Sequence, residues 1–377
     1  MTATGPIALA PVARPEVSFG IVLTRDAERA ARCLRSIAAQ EVAGEVIVVL
    51  CAPDSGIRRL VDEGVRGPIV IDRGVDLGML FAWQEVLDAA RAPAIHFLHE
   101  DTELAPGCTR RLLDTLRSTP DCGAVGARVL DPDGSPQACG GVIWSDAEAT
   151  PIVEPPVEEP FAVDSCQGAC SLVDAAALRR TGGFDARFFP AGYVDADMSM
   201  QLWYDGRAVL CDPRARAAHE RGAMVQEDGG AFRGVRFRRF LVEHNRRAFA
   251  EKWAVALAAH ARRRDPLDAS RPSAGEMADA LLRASQRQQR RPRVVAPPPL
   301  RRPRDGYADR VRELRAQLVA AFAAELVHNE AALAAELERV HGAYAALLRE
   351  HELQRDRAGR AEAHALGLRA ELDKRGS

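Results

Sequence analysis

The sequence predicts an α/β fold in which a mostly parallel sheet is flanked by helices. Two observations predict it: apolar runs alternate with helical patterns from residue 17 to about residue 259, and the runs are apolar enough to be buried strands. In sheets of this kind, ligands bind beyond the carboxyl ends of the strands. Residues that directly follow a predicted strand are therefore candidates for a functional site.

The predicted elements of the first hundred residues are regular. In the first helix, Ala30, Cys33, Leu34 and Ile37 share one face, and Asp26 is the expected N-cap. The strands are predicted at 17–23, 45–51, 68–71 and 94–98, and the helices at 26–39 and 77–90. Turn signals then become frequent, at 131–141 and at 150–160. Later elements are helices at 174–180 and 196–205 and a short strand at 208–213, ended by proline.

The C-terminal third has a different composition. Residues 283–304 contain eight arginines, five prolines and no acid, which is typical of a semi-extended linker. Farther on, apolar residues at four-three-four-three spacing predict a short coiled-coil-like seam, and a single amphipathic helix packed on its own domain is the alternative. The seam residues are Leu333, Leu337, Val340, Tyr344 and Leu347. The predicted units are a flexible arm (1–15), an α/β domain (16–260), a basic linker (261–305) and a helical tail (306–377).

Composition excludes several classes of function. Lysine and arginine number 51 against 53 acids, a net charge of −2, and aromatic residues make up 5%, so a nucleic-acid-binding protein is not expected. The eight cysteines hold one close pair, Cys166 and Cys170, which is too little for a zinc site, so reduced thiols are expected. No apolar run reaches the roughly 20 residues of a membrane helix, and the first residues do not resemble a signal peptide. The expected location is the cytoplasm.

Two segments carry carboxylates where chemistry could occur. His99, Glu100 and Asp101 follow a predicted strand, where a carboxylate can bind Mg²⁺ or Mn²⁺; an ordinary solvated turn or a helix start at Thr102 is the alternative. Asp195 and Asp197 lie at the start of a predicted helix, whose partial charge keeps a general base ionised; helix capping alone is the alternative. His219 follows the last predicted strand, and taken alone it indicates little.

In order along the chain, these segments resemble the family-2 glycosyltransferases with a GT-A fold, particularly their rhamnosyltransferase-like branch. The resemblance runs from about Val17 to Trp253. FLHEDTEL stands at the family's metal-binding Asp-x-Asp segment, and YVDADMSMQLWYDG stands at its Glu-Asp-x-Asp-Leu helix start. The remaining matches are VSFGIVLTRDAERAARCLRSIAAQ, GAVGARVLDPDGSPQACGGVI, QGACSLVDAAALRRTGGFDARFF, AAHE and EHNRRAFAEKW.

The resemblance implies an inverting, metal-dependent transfer of a sugar from a nucleotide sugar to a glycan, lipid-linked or other hydroxyl acceptor, in surface polysaccharide biosynthesis. Asp195 would be the catalytic base, and Asp101 and His219 would bind Mg²⁺ or Mn²⁺. The donor would be bound by Thr24, Asp54, Glu100 and Asp101. Asp197 and Trp203 would orient the acceptor.

Four positions depart from the family pattern: Arg25, Leu50, His99 and Val194. They motivate an alternative function, a catalytically impaired binding module or scaffold with a helical interaction tail. The basic segment 283–304 would contact anionic lipid at the inner face of the membrane, or would serve only as a solvated spacer. If the tail 306–377 forms a coiled coil, it would make an oligomer or bind a helical partner.

Overall fold

The computed structural model describes residues 6–9, 12–220, 235–262, 272–289 and 309–329, together with residue 338. The chain divides into two compact units, residues 1–314 and 315–377. In the part of the chain that the model describes, no helix is both long and apolar enough to cross a membrane.

The strands of the first unit form one large sheet and two small ones. The strands are β1 Ile7–Ala8, β2 Val17–Leu23, β3 Gly44–Leu50, β4 Val65–Arg66, β5 Ile69–Asp72, β6 Ala94–His99, β7 Thr102–Leu104, β8 Cys122–Leu130, β9 Pro136–Cys139, β10 Gly141–Ile143, β11 Ala149–Pro151, β12 Phe161–Ala162, β13 Cys170–Asp174 and β14 Ala208–His219. Within the described residues the large sheet has ten strands, in the order β12-β14-β8-β13-β6-β2-β3-β5, with β7 beside β14 and β9 beside β8.

Helices cover the sheet and extend beyond it toward the C-terminus. They are α1 Ala27–Ala38, α2 Ser55–Arg59, α3 Gly78–Ala89, α4 Cys108–Ser118, α5 Ala175–Arg180, α6 Val194–Tyr204, α7 Val235–Lys252, α8 Ala254–Leu257 and α9 Ala274–Gln288. A π-helical turn follows α2 at Leu60–Gly64, and a 3₁₀ turn lies at Ala186–Phe188. A further helix covers residues 309–329.

The sheet confirms the predicted α/β class and mostly parallel pairing. Strands β6, β2, β3 and β5 pair in parallel, as do β14 and β8, while β13 is antiparallel to both of its neighbours, β6 and β8. The carboxyl ends of β2, β3, β6, β8 and β14 therefore meet at one edge, together with the amino end of β13. This edge is where a ligand is expected.

Strand β3 shows how the two faces of the sheet are buried. Ile47 and Val49 enter one apolar cluster with Trp83 of α3, while Val48 enters a second cluster with Leu34 of α1. Alternate residues of a strand point to opposite faces, so an all-apolar strand needs helices on both sides. Complete burial of each such side chain contributes about 1.5–3 kcal/mol to stability.

Three predicted boundaries are corrected by the structure. The strand predicted at 208–213 continues to His219, because a register shift between Asp212 and Arg216 accommodates the proline. Thr102 lies in strand β7 rather than starting a helix. The predicted arm 1–15 contains strand β1, which pairs with β4 and buries Ile7, so it is not flexible throughout.

The predicted linker 261–305 also contains an ordered element, helix α9. Ser273 and Glu276 form a capping box at its start, and Arg287 Nη2 lies 2.5 Å from Asp164 Oδ1 of the α/β domain. A run of arginines therefore includes one that is a buried structural residue. Residues 290–308 and the predicted seam at 333–347 lie outside the described residues.

Candidate active site

At the carboxyl edge of the sheet, the ends of strands β6 and β14 lie close together although they are far apart in the sequence. Strand β6 ends at His99 and is followed by Glu100 and Asp101, and β14 ends at His219. Strand β7 pairs with the last residues of β14, His219 opposite Thr102, so the two segments are held side by side. His99 and His219, which are 120 positions apart in the sequence, therefore belong to one site.

His99, Asp101 and His219 form a group that can bind a cation. Their nearest ligand atoms all lie within 4.8 Å of one another. His219 Nε2 is 3.3 Å from Asp101 Oδ1 and 3.4 Å from His99 Nδ1. Among the described residues, buried Asp101 Oδ1 accepts no hydrogen bond. Two imidazole nitrogens and an oxygen without a hydrogen bond fit a divalent cation well.

The protonation of this group also suits cation binding. Burial lowers the pKa of His99 to about 4, so its imidazole is neutral and has a lone pair to donate. Burial alone would raise the pKa of Asp101, but the neighbouring imidazoles of His219 and His99 hold it below its ordinary value. Asp101 is therefore a carboxylate at neutral pH.

Thr24 contacts two of the other predicted donor-binding residues, Glu100 and Asp54. Glu100 accepts from the backbone amide of Thr24 at 2.8 Å and from its hydroxyl at 2.5 Å. Burial raises the pKa of Glu100 to about 7, although the hydrogen bonds from Thr24 oppose this. The Asp54 amide donates to the Thr24 carbonyl at 3.1 Å, and the Asp54 carboxylate caps helix α2 through the Ile57 amide at 2.8 Å. Thr24, Asp54 and Glu100 therefore lie together at the ends of β2, β3 and β6.

Asp195 lies at the start of helix α6 and contacts the other side of this edge. Its Oδ2 accepts from the Gly168 amide at 3.1 Å and its Oδ1 from the Ala196 amide at 2.9 Å. Burial raises the pKa of Asp195, and the two amides oppose the rise. A Cβ on Gly168 would lie 3.3 Å from Asp195 Oδ2 and 3.6 Å from His99 Nε2. Gly168 therefore lies between the Asp195 carboxylate and the candidate cation site, and the space at Gly168 is too small for a side chain without close contacts.

Asp197 and Trp203 are not brought to this edge. Asp197 is buried and accepts from Trp253 Nε1 at 2.8 Å and from Lys252 Nζ at 2.9 Å. Trp203 donates to the carbonyl of Arg287 in α9 at 3.0 Å. Residues two apart on a helix point about 200° apart, so Asp195 and Asp197 cannot face the same ligand. The structure thus gives Asp197 and Trp203 places in the packing around α6 instead of the acceptor positions expected from the sequence.

Sequence reasoning missed three residues that the structure brings to the site. His99 was noted as a departure from the metal segment, although its position at the strand end already marked it as a ligand candidate. Gly168 and Gln137 both lie in matched motifs, but no role was expected for either; Gln137 contacts His219. Two of the departing residues, Leu50 and Val194, are buried in the apolar clusters.

Comparison with known proteins gives one family and a set of partial relatives. Residues 18–168 match the model of glycosyl transferase family 2. The chain is 28% identical over 143 residues to the O-antigen biosynthesis protein RfbC of Myxococcus xanthus, covering 35% of this chain and 11% of that protein. It is 31% identical over 149 residues to the N-acetylglucosaminyl-diphospho-decaprenol L-rhamnosyltransferase of Mycobacterium tuberculosis (strain ATCC 25618 / H37Rv), covering 34% of this chain and 47% of that protein. The matches thus span less than half the length of these curated relatives.

A solved structure supports the fold. The crystal structure of GalNAc-T7 with UDP, GalNAc and Mn²⁺ superposes with a TM-score of 0.51 at 13% sequence identity, covering 74% of this chain and 56% of that chain. The likeness agrees with the GT-A architecture expected from the sequence.

Proposed function

We propose that this chain, whose residues 18–168 match the model of glycosyl transferase family 2 and whose fold is of the GT-A type, transfers a sugar from a nucleoside-diphosphate sugar to a hydroxyl acceptor. Transfer proceeds with inversion at the anomeric carbon and serves surface polysaccharide biosynthesis. The names of the two partial relatives, an O-antigen biosynthesis protein and a rhamnosyltransferase, support this role. Among the described residues, no feature favours the alternative of a non-catalytic scaffold.

One observation carries the proposal: a cation-binding group and a carboxylate of raised pKa face each other across Gly168. His99, Asp101 and His219 supply the first, and Asp195 supplies the second. A transferase needs a place for the diphosphate of its donor beside a base for its acceptor. The carboxyl edge of the sheet offers both, on either side of Gly168.

His99, Asp101 and His219 would hold the divalent cation. When bound, such an ion supplies charge that stabilises the departing diphosphate. Two imidazoles among three protein ligands favour Mn²⁺ over Mg²⁺, because Mg²⁺ prefers oxygen ligands. The structure of GalNAc-T7 with UDP and Mn²⁺ has the same fold, which supports the preference.

Asp195 accepts the proton of the acceptor hydroxyl. The hydroxyl oxygen forms a bond to the anomeric carbon, the bond from that carbon to the diphosphate oxygen breaks, and the proton moves to an Asp195 carboxylate oxygen. Each of these oxygens receives one backbone hydrogen bond and keeps a free lone pair. The two amides fix the carboxylate, so it need not reorient during the reaction.

Thr24 and Asp54 are proposed to line the nucleotide of the donor, and Glu100 fixes Thr24 through two hydrogen bonds. Hydrogen bonds to both the amide and the hydroxyl of Thr24 fix the end of β2 against the end of β6. The end of β2, where the nucleotide of the donor is proposed to bind, is therefore already fixed before the donor binds.

The acceptor is proposed to be lipid-linked, with the protein at the inner face of the membrane. Arginines beyond α9, within residues 290–304, would contact anionic headgroups, and the tail 306–377 would make an oligomer or bind a helical partner. Arg287 is excluded from the lipid-binding set because it pairs with buried Asp164. Vesicle sedimentation of a variant with Arg290, Arg291, Arg293, Arg301, Arg302 and Arg304 changed to Gln tests the lipid contact: equal sedimentation with the native protein would contradict it.

Turnover of a donor panel tests the proposed reaction. UDP-, dTDP- and GDP-sugars are supplied with Mn²⁺ and a synthetic lipid-diphosphate-linked N-acetylglucosamine acceptor, and products are identified by mass spectrometry. We expect Asp195→Asn to reduce kcat by about 10²–10⁴-fold, since the amide cannot accept the proton. Asp205→Asn, at the other end of α6, is the matched control and should retain native turnover. Native turnover in Asp195→Asn would contradict the assignment of the base.

A further inference from the structure

The hairpin between β8 and β9 brings an amide side chain to His219. A turn at 131–135 joins the two strands: the Asp131 amide donates to the Ser135 carbonyl at 2.8 Å, and Gly134 takes a left-handed conformation with φ 86°. Strand β9 then pairs with the end of β8, which lies beside the end of β14. Gln137 of β9 therefore lies next to His219.

The Gln137 amide makes three hydrogen bonds whose directions are fixed by chemistry. Its Nε2 lies 2.8 Å from Asp131 Oδ1 and 3.0 Å from the carbonyl oxygen of His219. A carboxylate and a carbonyl only accept, so the NH₂ group must face them. Oε1 must then face His219 Nδ1, 2.7 Å away, and accept a hydrogen bond from it.

This arrangement fixes the tautomer of His219. A proton on Nδ1 leaves the lone pair of the neutral imidazole on Nε2. Nε2 is the atom that lies 3.3 Å from Asp101 Oδ1 and 3.4 Å from His99 Nδ1. A lone pair directed at a carboxylate is favourable when a cation lies between them.

We propose that Gln137 is a positioning residue that holds His219 with its proton on Nδ1, so that Nε2 is directed to the cation site formed with His99 and Asp101. The inference rests on the cation site of the proposed function. A side chain at position 137 must accept from the imidazole and donate to Asp131 at the same time. Glutamine does both, and the Asp131 contact extends the support of the site to the 131–135 turn.

The tautomer of His219 is measured directly by long-range ¹H–¹⁵N NMR on the full-length protein without metal or donor. The spectrum is recorded at about pH 8, and the His219 signals are assigned by their loss in His219→Ala. We expect the Nδ1–H tautomer. A native His219 in the Nε2–H form would overturn the inference, whatever the variants do.

Substitutions at 137 provide the second readout, the affinity for Mn²⁺ alone, measured by electron paramagnetic resonance. Gln137→Met keeps the side-chain length and removes the acceptor, so we expect mixed tautomers and Mn²⁺ binding weakened by about 10–100-fold. Gln137→Glu keeps the acceptor for His219 but loses the donor to Asp131, so the proton on His219 Nδ1 should be retained. Asp133→Asn, in the same turn, changes a carboxylate that accepts from the amide and hydroxyl of Ser135, and it should behave as native.

The outcomes separate this inference from the proposed function. Native-like tautomer and Mn²⁺ affinity in folded Gln137→Met would overturn the positioning role while leaving the transferase intact. A native protein with the Nδ1–H tautomer that binds no Mn²⁺ would overturn the cation site, and with it the part of the inference that concerns the cation. Neither measurement requires a donor, an acceptor or turnover.

Discussion

Asp195 combines two properties that a general base needs, a fixed orientation and a raised proton affinity. The amides of Gly168 and Ala196 fix its two oxygens, and the start of helix α6 keeps it ionised through the helix partial charge. Burial acts in the opposite direction and raises its pKa. The result is a carboxylate that is a stronger base than an exposed aspartate.

The raised pKa of Asp195 predicts the acidic limb of the pH–rate profile. Lowering the pH protonates Asp195 and removes the base, and the folded-state pKa lies above the ordinary value, so kcat/KM should fall at a higher pH than for an exposed aspartate. The measurement is kcat/KM against pH with saturating metal. A limb at the ordinary aspartate value would contradict the role of burial.

Stability gives an independent readout of the same shift. A carboxylate with a raised folded-state pKa destabilises the fold while ionised, and this cost disappears as pH falls through the raised pKa and then the ordinary one. Asp195→Asn loses one of the two backbone hydrogen bonds at every pH, so the sign of its effect at neutral pH is not the test; the stability of the native protein relative to this variant should rise on acidification. Chemical denaturation at several pH values measures it, and a difference independent of pH would contradict the shift.

Gly168 predicts a steric effect on activity. A Cβ there would lie 3.0 Å from the Trp83 ring and 3.3 Å from Asp195 Oδ2, closer than ordinary contacts, so Gly168→Ala must displace the carboxylate by a few tenths of an ångström. We expect kcat to fall about 10–100-fold, with the fold retained. In the control Gly126→Ala, the Cβ would meet Cys166 at 3.5 Å, an ordinary distance, and kcat should stay native. Equal kcat in both variants would contradict the account.

The site residues differ in how far the sequence could predict them. Asp101, His219 and Asp195 stand in ordered motifs at strand and helix ends, so their convergence was predictable. The place of Asp197 is decided by Lys252, which comes from a helix 55 residues away in sequence. Gln137 needs the pairing of three strands to reach His219, and no local pattern encodes that pairing.

Helix α6 is held against the domain by a buried charge network. Lys252 Nζ of α7 lies 2.7 Å from Asp185 Oδ2 and 2.7 Å from Asp197 Oδ1, and the Lys252 and Asp185 side chains are completely buried. Burial raises the pKa of Asp197, while the Lys252 charge opposes the rise. The network ties α6, and so Asp195, to the end of α7.

Replacing Lys252, whose charge is shared by Asp185 and Asp197, is expected to cause a large loss of stability. Lys252→Met would remove the charge that buried Asp197 shares with Asp185, while Asp185 retains Arg187 at 3.2 Å, so we expect the free energy of unfolding to fall by about 3–5 kcal/mol. The matched control is Arg247→Met on the same helix, where the side chain is 65% exposed and pairs with Glu243. The control should cost less than about 1 kcal/mol. A loss below that value for Lys252→Met would contradict the network's role.

Among the elements, those with a regular local apolar pattern were predicted well, whereas strand pairings that depend on residues distant in sequence were not. The strands near Val17 and Glu45 and the helix capped by Asp26 follow from local apolar patterns and capping chemistry. Strand β13 is only five residues long, and its antiparallel insertion between β6 and β8 depends on distant partners. Strand β14 passes Pro213 because a bulge removes the need for its amide.

At the scale of the whole chain, composition distinguished the α/β domain from the C-terminal part, and the division at residue 260 stays a prediction. Helix α9 lies within the predicted linker 261–305, and its Arg287–Asp164 pair attaches it to the α/β domain. The second compact unit begins at residue 315, nine residues after the predicted start of the tail at 306. The arginine content of a segment is an average over its residues. The packing of α9 on the α/β domain depends on one arginine, Arg287, which pairs with Asp164.

The measurement that tests the central claim most directly is metal-dependent nucleotide binding at the carboxyl edge. Calorimetry with UDP, dTDP and GDP in the presence of Mn²⁺ compares the native protein with Asp101→Ala. The control is Glu103→Ala, which removes a carboxylate two residues after Asp101. Glu103 pairs with Arg32. We predict that at least one nucleotide binds the native protein and Glu103→Ala only with Mn²⁺, and that Asp101→Ala binds it about 10–100-fold more weakly. Binding that survives in Asp101→Ala unchanged, or no nucleotide bound by the native protein, would contradict a donor site built on His99, Asp101 and His219.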